Sequence, residues 1–133
     1  DLVVEDASGC SATETVSLLD PIAITYGIST TPASCNGEAS GVISLNGSGG
    51  VGSLQYSIDG GATFQSSGSF TNLVAATYSI VVKDANNCLE TGTSVITEPG
   101  AITHTSSSTN PNSAGVADGS ITLSASGGTG AIS

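Results

Sequence analysis

Basic residues are almost absent from this 133-residue chain: Lys83 is the only one, against eleven acidic residues, and the net charge is −10. A nucleic-acid-binding protein needs a cationic surface to displace counterions from phosphates, and anionic membranes attract basic segments for the same reason. The composition therefore excludes nucleic acid as a partner. No apolar run approaches the length of a transmembrane helix, so we also expect no direct membrane insertion.

Residue types that carry catalysis are scarce as well. The chain has one histidine, His104, and only 9% of its residues are charged. No base stands beside a serine or cysteine to activate it, and no carboxylate pair suggests acid–base chemistry. We therefore expect no catalytic residues and no enzymatic activity.

Methionine and tryptophan are missing, and only five residues are aromatic, whereas hydrophobic residues still make up 38% of the chain. That content, arranged in regular alternation, argues against disorder in spite of the abundant glycine, serine and threonine. Alternating runs bounded by turn residues predict about seven short strands and no helix. The predicted strands lie at 22–28, 41–46, 54–58, 64–70, 77–83 and 89–97.

A tandem repeat organises the sequence. Ile80–Thr103 repeats the text of Leu2–Thr25, 78 positions earlier, and comparison of residues 1–55 with 79–133 gives 22 identities in one ungapped register. Self-similarity of this length indicates repeated structural units. We expect an all-β chain of tandem immunoglobulin-like or PKD-like β-sandwiches with a 78-residue period. A β-solenoid is disfavoured because no shorter period of 20–30 residues is visible.

The repeat phase divides the chain into three parts. Residues 1–21 correspond to the C-terminal hairpin of a preceding repeat, 22–100 to a complete sandwich, and 101–133 to the first strands of a following repeat. We therefore interpret the sequence as a slice of a longer protein.

Ser57-Ile-Asp59-Gly-Gly61-Ala-Thr63-Phe64 fits an Asp-box pattern. Such boxes occur in sialidases, which would suggest glycan processing. The structural interpretation is favoured: Asp59 caps the turn through backbone hydrogen bonds, Gly61 supplies a positive φ angle, and Phe64 tucks under the hairpin.

Calcium is the one cofactor that the sequence leaves open. Oxygen ligands from carboxylates and amides suit Ca²⁺, and the residues that could supply them in the turns are Asp59, Asp84, Asn86 and Asn87. The dense acidic spacing of an EF-hand loop is missing, and Asp84 more simply bonds its own turn. We therefore expect no cofactor, with calcium as the minor alternative.

The segment from Cys35 to Cys88 resembles the SprB repeat family of Bacteroidota surface proteins. The resemblance rests on a Cys-x-Gly turn, a Tyr-Ser-Ile-Asp-Gly-Gly hairpin, a Thr-Tyr strand start, an Asp-Ala-Asn-Asn-Cys turn and a Thr-Glu-Pro end, in that order. It departs from the family at Ala76, where glycine is usual, and at Asn87. The third copy has Ser113 in the position of Cys35.

This resemblance implies an extracellular protein, secreted by the type IX system and held at the cell surface. It implies a non-catalytic module of a large adhesin or filament, serving as stalk and adhesive surface in gliding motility or surface attachment. Expected partners are neighbouring repeats of the same chain, and extracellular polysaccharide or a solid surface. The alternative is a glycan-binding or spacer module of a secreted enzyme.

Three cysteines in an extracellular chain suggest disulfides. A Cys10–Cys35 bond across the link would require Cys88 to pair with Ser113, so we expect a Cys35–Cys88 bond within the repeat. Free thiols, or bonds between neighbouring copies, are the alternatives.

Overall fold

The structure, a computed structural model, describes residues 1–132, which contain ten β-strands and no helix. Every strand pair is antiparallel, so the all-β prediction is confirmed. Nothing within 1–132 forms a helix that could cross a membrane. The strands are β1 (Leu2–Glu5), β2 (Ser11–Glu14), β3 (Thr25–Thr31), β4 (Gly41–Ser48), β5 (Gln55–Ser57), β6 (Ser69–Leu73), β7 (Ala76–Lys83), β8 (Leu89–Ile96), β9 (Thr103–Thr109) and β10 (Ser120–Ser126).

Two three-stranded sheets form the centre of the molecule, in the orders β3-β4-β6 and β5-β7-β8. Both sheets contribute to a single hydrophobic core, which is the arrangement of a β-sandwich. All of the buried core residues lie between positions 24 and 96, and they are Ile24, Ile43, Leu45, Tyr56, Ile80, Val82 and Ile96.

In strand β4, buried and exposed side chains alternate. Ile43 and Leu45 are buried, while Ser44 and Asn46 between them are exposed, because successive side chains point to opposite faces of a sheet. Strand β7 differs because Val81, on its outer face, is also buried. The hairpin that follows β5 covers this face, with Gly61 next to the Val81 side chain.

Two predicted strands begin later in the structure than the sequence indicated. The first starts at Thr25 rather than at Ile22, whose carbonyl accepts the Gly50 N–H instead of joining a ladder. The predicted strand at 64–70 is β6 at Ser69–Leu73, because Gln65 pairs only in an isolated bridge with Tyr56. The central unit has six strands, β3 to β8, one for each of the six predicted ranges and one fewer than the total of about seven.

The two outer hairpins repeat parts of this centre. In β1–β2, Leu2 pairs with Glu14, the same register shifted by 78 positions as Ile80 with Gly92 in β7–β8. Hairpin β9–β10 likewise repeats the register of β3–β4. Their apolar side chains are exposed, whereas the core residues of the central unit are buried.

Tyr78 closes the corner between β6 and β7: its hydroxyl donates a 3.0 Å hydrogen bond to the Val74 carbonyl, four residues upstream. We expect Tyr78→Phe to lower the free energy of unfolding by about 1 kcal/mol, the usual contribution of one such bond. Tyr26→Phe is the matched control, since within residues 1–132 the Tyr26 hydroxyl has no hydrogen-bond partner within reach, and a change below about 0.5 kcal/mol is expected. If urea denaturation gave the same loss of unfolding free energy for both variants, the Tyr78 hydrogen bond would not be what stabilises this corner.

Candidate functional site

The Asp-box hairpin is organised around Asp59. Its Oδ1 accepts hydrogen bonds from the Ser57 hydroxyl (2.6 Å) and the Thr63 N–H (3.0 Å), and its Oδ2 accepts one from the Thr63 hydroxyl (2.5 Å). Gly60 and Gly61 both have positive φ angles, 75° and 93°, which side chains other than glycine rarely adopt. The tight turn thus depends on the capping carboxylate and on the two glycines.

These hydrogen bonds fix the ionisation of Asp59. Donation by the Ser57 hydroxyl, followed by that of the Thr63 hydroxyl and N–H, holds the pKa of the Asp59 carboxyl well below its usual range, because each bond favours the charged form. A carboxylate that stays ionised at neutral pH cannot serve as a general acid. The network supports capping rather than acid catalysis.

Ser57 is the buried centre of this hairpin, a role that the motif alone did not reveal. Its side chain is fully buried, and its hydroxyl accepts hydrogen bonds from the Gly61 N–H at 2.9 Å and from the Asp59 N–H at 3.3 Å. The alternation of β5 places it on the face of β5 opposite that of Tyr56. The bonding capacity of this hydroxyl is therefore used within the hairpin.

Phe64 is half-buried rather than enclosed. One side of its ring lies near Gly61, and the Lys83 Nζ stands 4.0 Å from the ring centroid. A cation at this distance is attracted to the aromatic face. The only base in the chain thus closes the Asp-box hairpin onto β7, a contact that the sequence did not predict.

The β7–β8 turn is capped by a second carboxylate, that of Asp84. Its Oδ1 accepts the N–H groups of Asn86 and Cys88, both at 2.9 Å. Its Oδ2 accepts the Val51 N–H at 2.8 Å. Asp84 is 3% exposed, so one buried carboxylate joins the β7–β8 turn to the glycine-rich loop that follows β4.

The same three N–H groups act on the ionisation of Asp84. The Val51 N–H has the largest effect and, with those of Cys88 and Asn86, lowers the pKa of the carboxyl, in spite of the opposing effect of burial.

The pKa of the Tyr26 phenol is shifted in the opposite direction. Burial has the largest effect and, with the negative charge of Glu90, raises the pKa of this phenol.

The four calcium candidates do not lie together. Asp59 pairs with Ser79 in the middle of β7, and Asp84 directly follows the last residue of that strand, so the two are roughly 17 Å apart along β7. Both carboxylates are already occupied by N–H or O–H donors. Within residues 1–132, no three histidine, cysteine or acidic side chains are placed to share a metal ion.

A third carboxylate, that of Glu98, holds the loop that contains Cys35. Its oxygens accept the Asn36 side-chain amide at 2.8 Å and the Gly37 N–H at 2.6 Å, and the same amide reaches the Pro99 carbonyl at 3.2 Å. The Ala33 N–H bonds to the Thr97 carbonyl. This loop is therefore fixed to the end of β8 where the chain leaves the central unit.

The expected Cys35–Cys88 disulfide is not formed, and Cys10, Cys35 and Cys88 are free and exposed thiols. Cys35 belongs to the loop held beside Thr97, whereas Cys88 directly precedes β8. The eight residues of β8 separate these two ends by roughly 27 Å. Disulfide-bonded Cα atoms lie within about 7 Å of each other, so the two ends of the sandwich keep these cysteines apart.

We expect all three thiols to react with a chromogenic disulfide reagent in native buffer, because each side chain is exposed. The count should be three per chain without denaturant and should stay at three in urea. Non-reducing peptide mapping provides the second measurement. A count below three in the absence of reductant, with a linked Cys35–Cys88 peptide, would contradict the placement of the two cysteines at opposite ends.

An open cleft of about 450 Å³ lies where the central unit meets the following segment. It is lined by the Cys35 loop, by the link Pro99–Ile102 and by Gly128 and Thr129. At the cleft the Asn36 side-chain amide bonds to the Pro99 carbonyl, and the Gly128 N–H bonds to the Gly100 carbonyl. The cleft is thus a joint between units.

Comparison with known proteins gives one family. No curated protein and no solved structure shows significant similarity to the chain. The family match begins in β3 and ends in the Asp-box hairpin, which confirms the resemblance seen in the sequence. Residues 27–63 match the family model described as SprB repeat.

Proposed function

We propose that the chain is a non-catalytic, extracellular repeat module of a large cell-surface adhesin or filament, which serves as stalk and adhesive surface. The SprB match at residues 27–63 carries this proposal. The capped turns and ionised carboxylates support it, since their bonding capacity is used in holding hairpins together. Gliding motility or surface attachment, with secretion by the type IX system, is the biological setting that we propose.

The unit of the module is residues 22–100, repeated every 78 positions. Asp6 accepts the N–H groups of Ser8 and Cys10 in the β1–β2 turn, as Asp84 accepts those of Asn86 and Cys88. The bond from Gly50 N–H to the Ile22 carbonyl likewise recurs from Gly128 to Gly100. Equivalent positions thus make equivalent contacts, which supports tandem units of one structure.

An immunoglobulin-like arrangement is the finer fold that we propose for this unit. Lettered along the chain with D omitted, its strands give sheets A-B-E and C-F-G, the orders found in immunoglobulin-like sandwiches. The bond from Tyr78 to Val74 matches the tyrosine corner that precedes the F strand in such folds. Both observations support this topology.

The architecture suits a stalk. The chain enters the central unit near Ile22, beside the loop held by Asp84, and leaves at Pro99, beside the loop held by Glu98. These points lie at opposite ends of β8, so successive units extend the chain instead of folding it back. Stability in such arrays is a sum over units and their nearest-neighbour contacts.

The glycan-binding alternative receives little support from the aromatic residues. Such sites present exposed aromatic rings to a sugar, yet Tyr56 is buried and the other four aromatic side chains are half-buried. Extracellular polysaccharide or a solid surface remains the proposed adhesive partner, contacted through the polar outer faces of the sheets.

Immunogold labelling of intact producing cells with antibodies against residues 22–100 tests the location. Label on threads outside the cell, removed by brief protease treatment, is the expected result. Antibody fragments against the same residues should reduce attachment to glass, while fragments against an unrelated surface protein should not. Label that appears only after permeabilisation would contradict the proposal.

A further inference from the structure

An asparagine–glycine pair lies in the loop that Glu98 holds where the chain leaves the central unit. Asn36 is followed directly by Gly37, and both residues are exposed. In such a pair the backbone nitrogen of the glycine can attack the side-chain carbonyl carbon of the asparagine, because glycine has no Cβ to hinder the approach. The pair is therefore chemically disposed to lose the side-chain amide as ammonia, which is deamidation.

The contacts of Glu98 oppose this reaction. Its Oε1 accepts the Asn36 side-chain amide at 2.8 Å, and its Oε2 accepts the Gly37 N–H at 2.6 Å. The same amide donates to the Pro99 carbonyl at 3.2 Å. The Asn36 side chain must leave both acceptors before its Cγ can meet the Gly37 nitrogen. That nitrogen must also lose its proton, and the negative charge of Glu98 disfavours a second negative charge beside it.

The turn that carries this pair does not need an asparagine. In the central unit it closes with a hydrogen bond from the Glu38 N–H to the Cys35 carbonyl. The equivalent bond forms 78 positions later, although Ala114 stands there in place of Asn36. The Asn36 side chain is therefore not required to shape the turn, and its contacts serve to attach the loop to the chain exit.

We propose that Asn36 is a deamidation site which Glu98 keeps unreacted, and that its conversion releases the Cys35 loop from the chain exit. In the first step a bond forms between the Gly37 nitrogen and the Asn36 Cγ, and the Cγ–Nδ2 bond breaks. The Gly37 N–H gives its proton to solvent, and Nδ2 takes one from solvent and leaves as ammonia. Water then opens the five-membered imide to aspartate or isoaspartate. The overall change is amide plus water to carboxylate plus ammonium.

The product cannot restore the contact. A carboxylate at position 36 has no N–H to donate, and its charge repels that of Glu98. Isoaspartate also lengthens the backbone by one carbon before Gly37. The attachment beside Pro99 is thus lost in one direction only. All of the residues involved lie within the central unit, and neither outer hairpin takes part.

Peptide mapping of the whole chain by mass spectrometry, after incubation at neutral pH, tests the proposal. The Asn46-Gly47 pair is the internal reference, because Asn46 lies outside this loop and the β4 ladder fixes its backbone. In Glu98→Ala, deamidation of Asn36 should be about tenfold faster, the factor that corresponds to one hydrogen bond to a charged group, while Asn46 keeps its rate. An unchanged rate at Asn36 would overturn the proposal, and so would a slower one, which would make Glu98 a base that promotes the reaction.

Glu38→Ala is the matched control. It removes the same charge from the same loop, but the Glu38 side chain is exposed and does not hold the Asn36 amide. The rate at Asn36 should equal that of the unmodified chain, and a rise as large as in Glu98→Ala would overturn the proposal. If Glu98→Ala unfolds the unit, Asn46 will also react faster. Glu98→Gln, which keeps one acceptor oxygen, then replaces it and should give a smaller rise that is confined to Asn36.

Asn36→Asp tests the released state directly. Hydrogen–deuterium exchange should be faster at the Gly37 N–H, which loses its fixed acceptor, and at the Ala33 N–H, which bonds to the Thr97 carbonyl in the same attachment. Exchange in β7 should stay as slow as in the unmodified chain. Unchanged exchange at both loop amides would mean that the loop remains attached after conversion, and this would overturn the proposed release.

Discussion

Ile43→Ala is expected to destabilise the central unit by about 3 kcal/mol. Its side chain is fully buried between the two sheets, and truncation of a buried isoleucine removes transfer free energy and leaves a cavity. A unit of about 80 residues has a total stability of roughly 4–12 kcal/mol, so a large part of it would be lost. Urea denaturation followed by far-UV circular dichroism and tyrosine fluorescence measures the change, since the chain has no tryptophan.

The repeat supplies its own control in Ile121→Ala. Ile121 occupies the position 78 residues after Ile43 but is 83% exposed. This variant should change the stability of the central unit by less than about 0.5 kcal/mol. Similar losses from both substitutions would mean that Ile121 is also part of a folded core within the single chain, contrary to the division into one complete unit and two outer hairpins.

The core could be predicted from the sequence because alternation is a local property. The period of two places Ile43 with Leu45, and Ile80 with Val82, on one face of each predicted strand, and the structure buries all four. Val81 was not predicted as buried, because a hairpin distant in sequence covers the outer face of β7. Ile22 was predicted to begin the first strand, but it lies in the link that precedes β3, and its side chain is exposed.

The candidate site was predictable within single turns but not between them. The Asp-box pattern and the Asp-Ala-Asn-Asn-Cys turn each indicated a carboxylate that bonds nearby N–H groups. The bond from Val51 to Asp84, the Glu98 contact with the Cys35 loop and the contact of Lys83 with Phe64 join positions 19–61 residues apart. Such pairings depend on the order of strands in space. The predicted Cys35–Cys88 bond was wrong for the same reason, because the order of the strands places the two cysteines at opposite ends of β8.

Asp84→Ala is expected to lower the melting temperature of the central unit by about 10 °C, because three N–H groups lose a charged acceptor in a buried turn. Asp6→Ala is the matched control. Asp6 makes the same two turn bonds in β1–β2, but it is exposed and lies outside the central unit. Its loss should leave the melting temperature of that unit unchanged, and an equal effect would show that β1–β2 unfolds together with the central unit, contrary to the division into one complete unit and two outer hairpins.

The pH dependence of Asp84→Asn isolates the role of the charge. The pKa of Asp84 is lowered in the folded chain, so the folded state binds fewer protons than the unfolded state near the ordinary aspartate pKa of about 3.9. The stabilisation is therefore complete above that value and is lost as the pH falls through the lower folded-state pKa. Melting curves of the unmodified chain and of Asp84→Asn should differ most at pH 6 and converge as the pH falls below the ordinary aspartate pKa.

The same titration separates Asp84 from Asp59, whose pKa is lowered as well. Asp84→Asn should remove only part of the acid sensitivity, because the pKa of Asp59 is also lowered in the folded chain, so the unfolded state still takes up a proton at Asp59 more readily as the pH falls. The double variant Asp59→Asn and Asp84→Asn should therefore show the flattest dependence of melting temperature on pH. A gap between the unmodified chain and Asp84→Asn that stays constant from pH 6 to about pH 2 would mean that the turn depends on the shape of the side chain rather than on its charge.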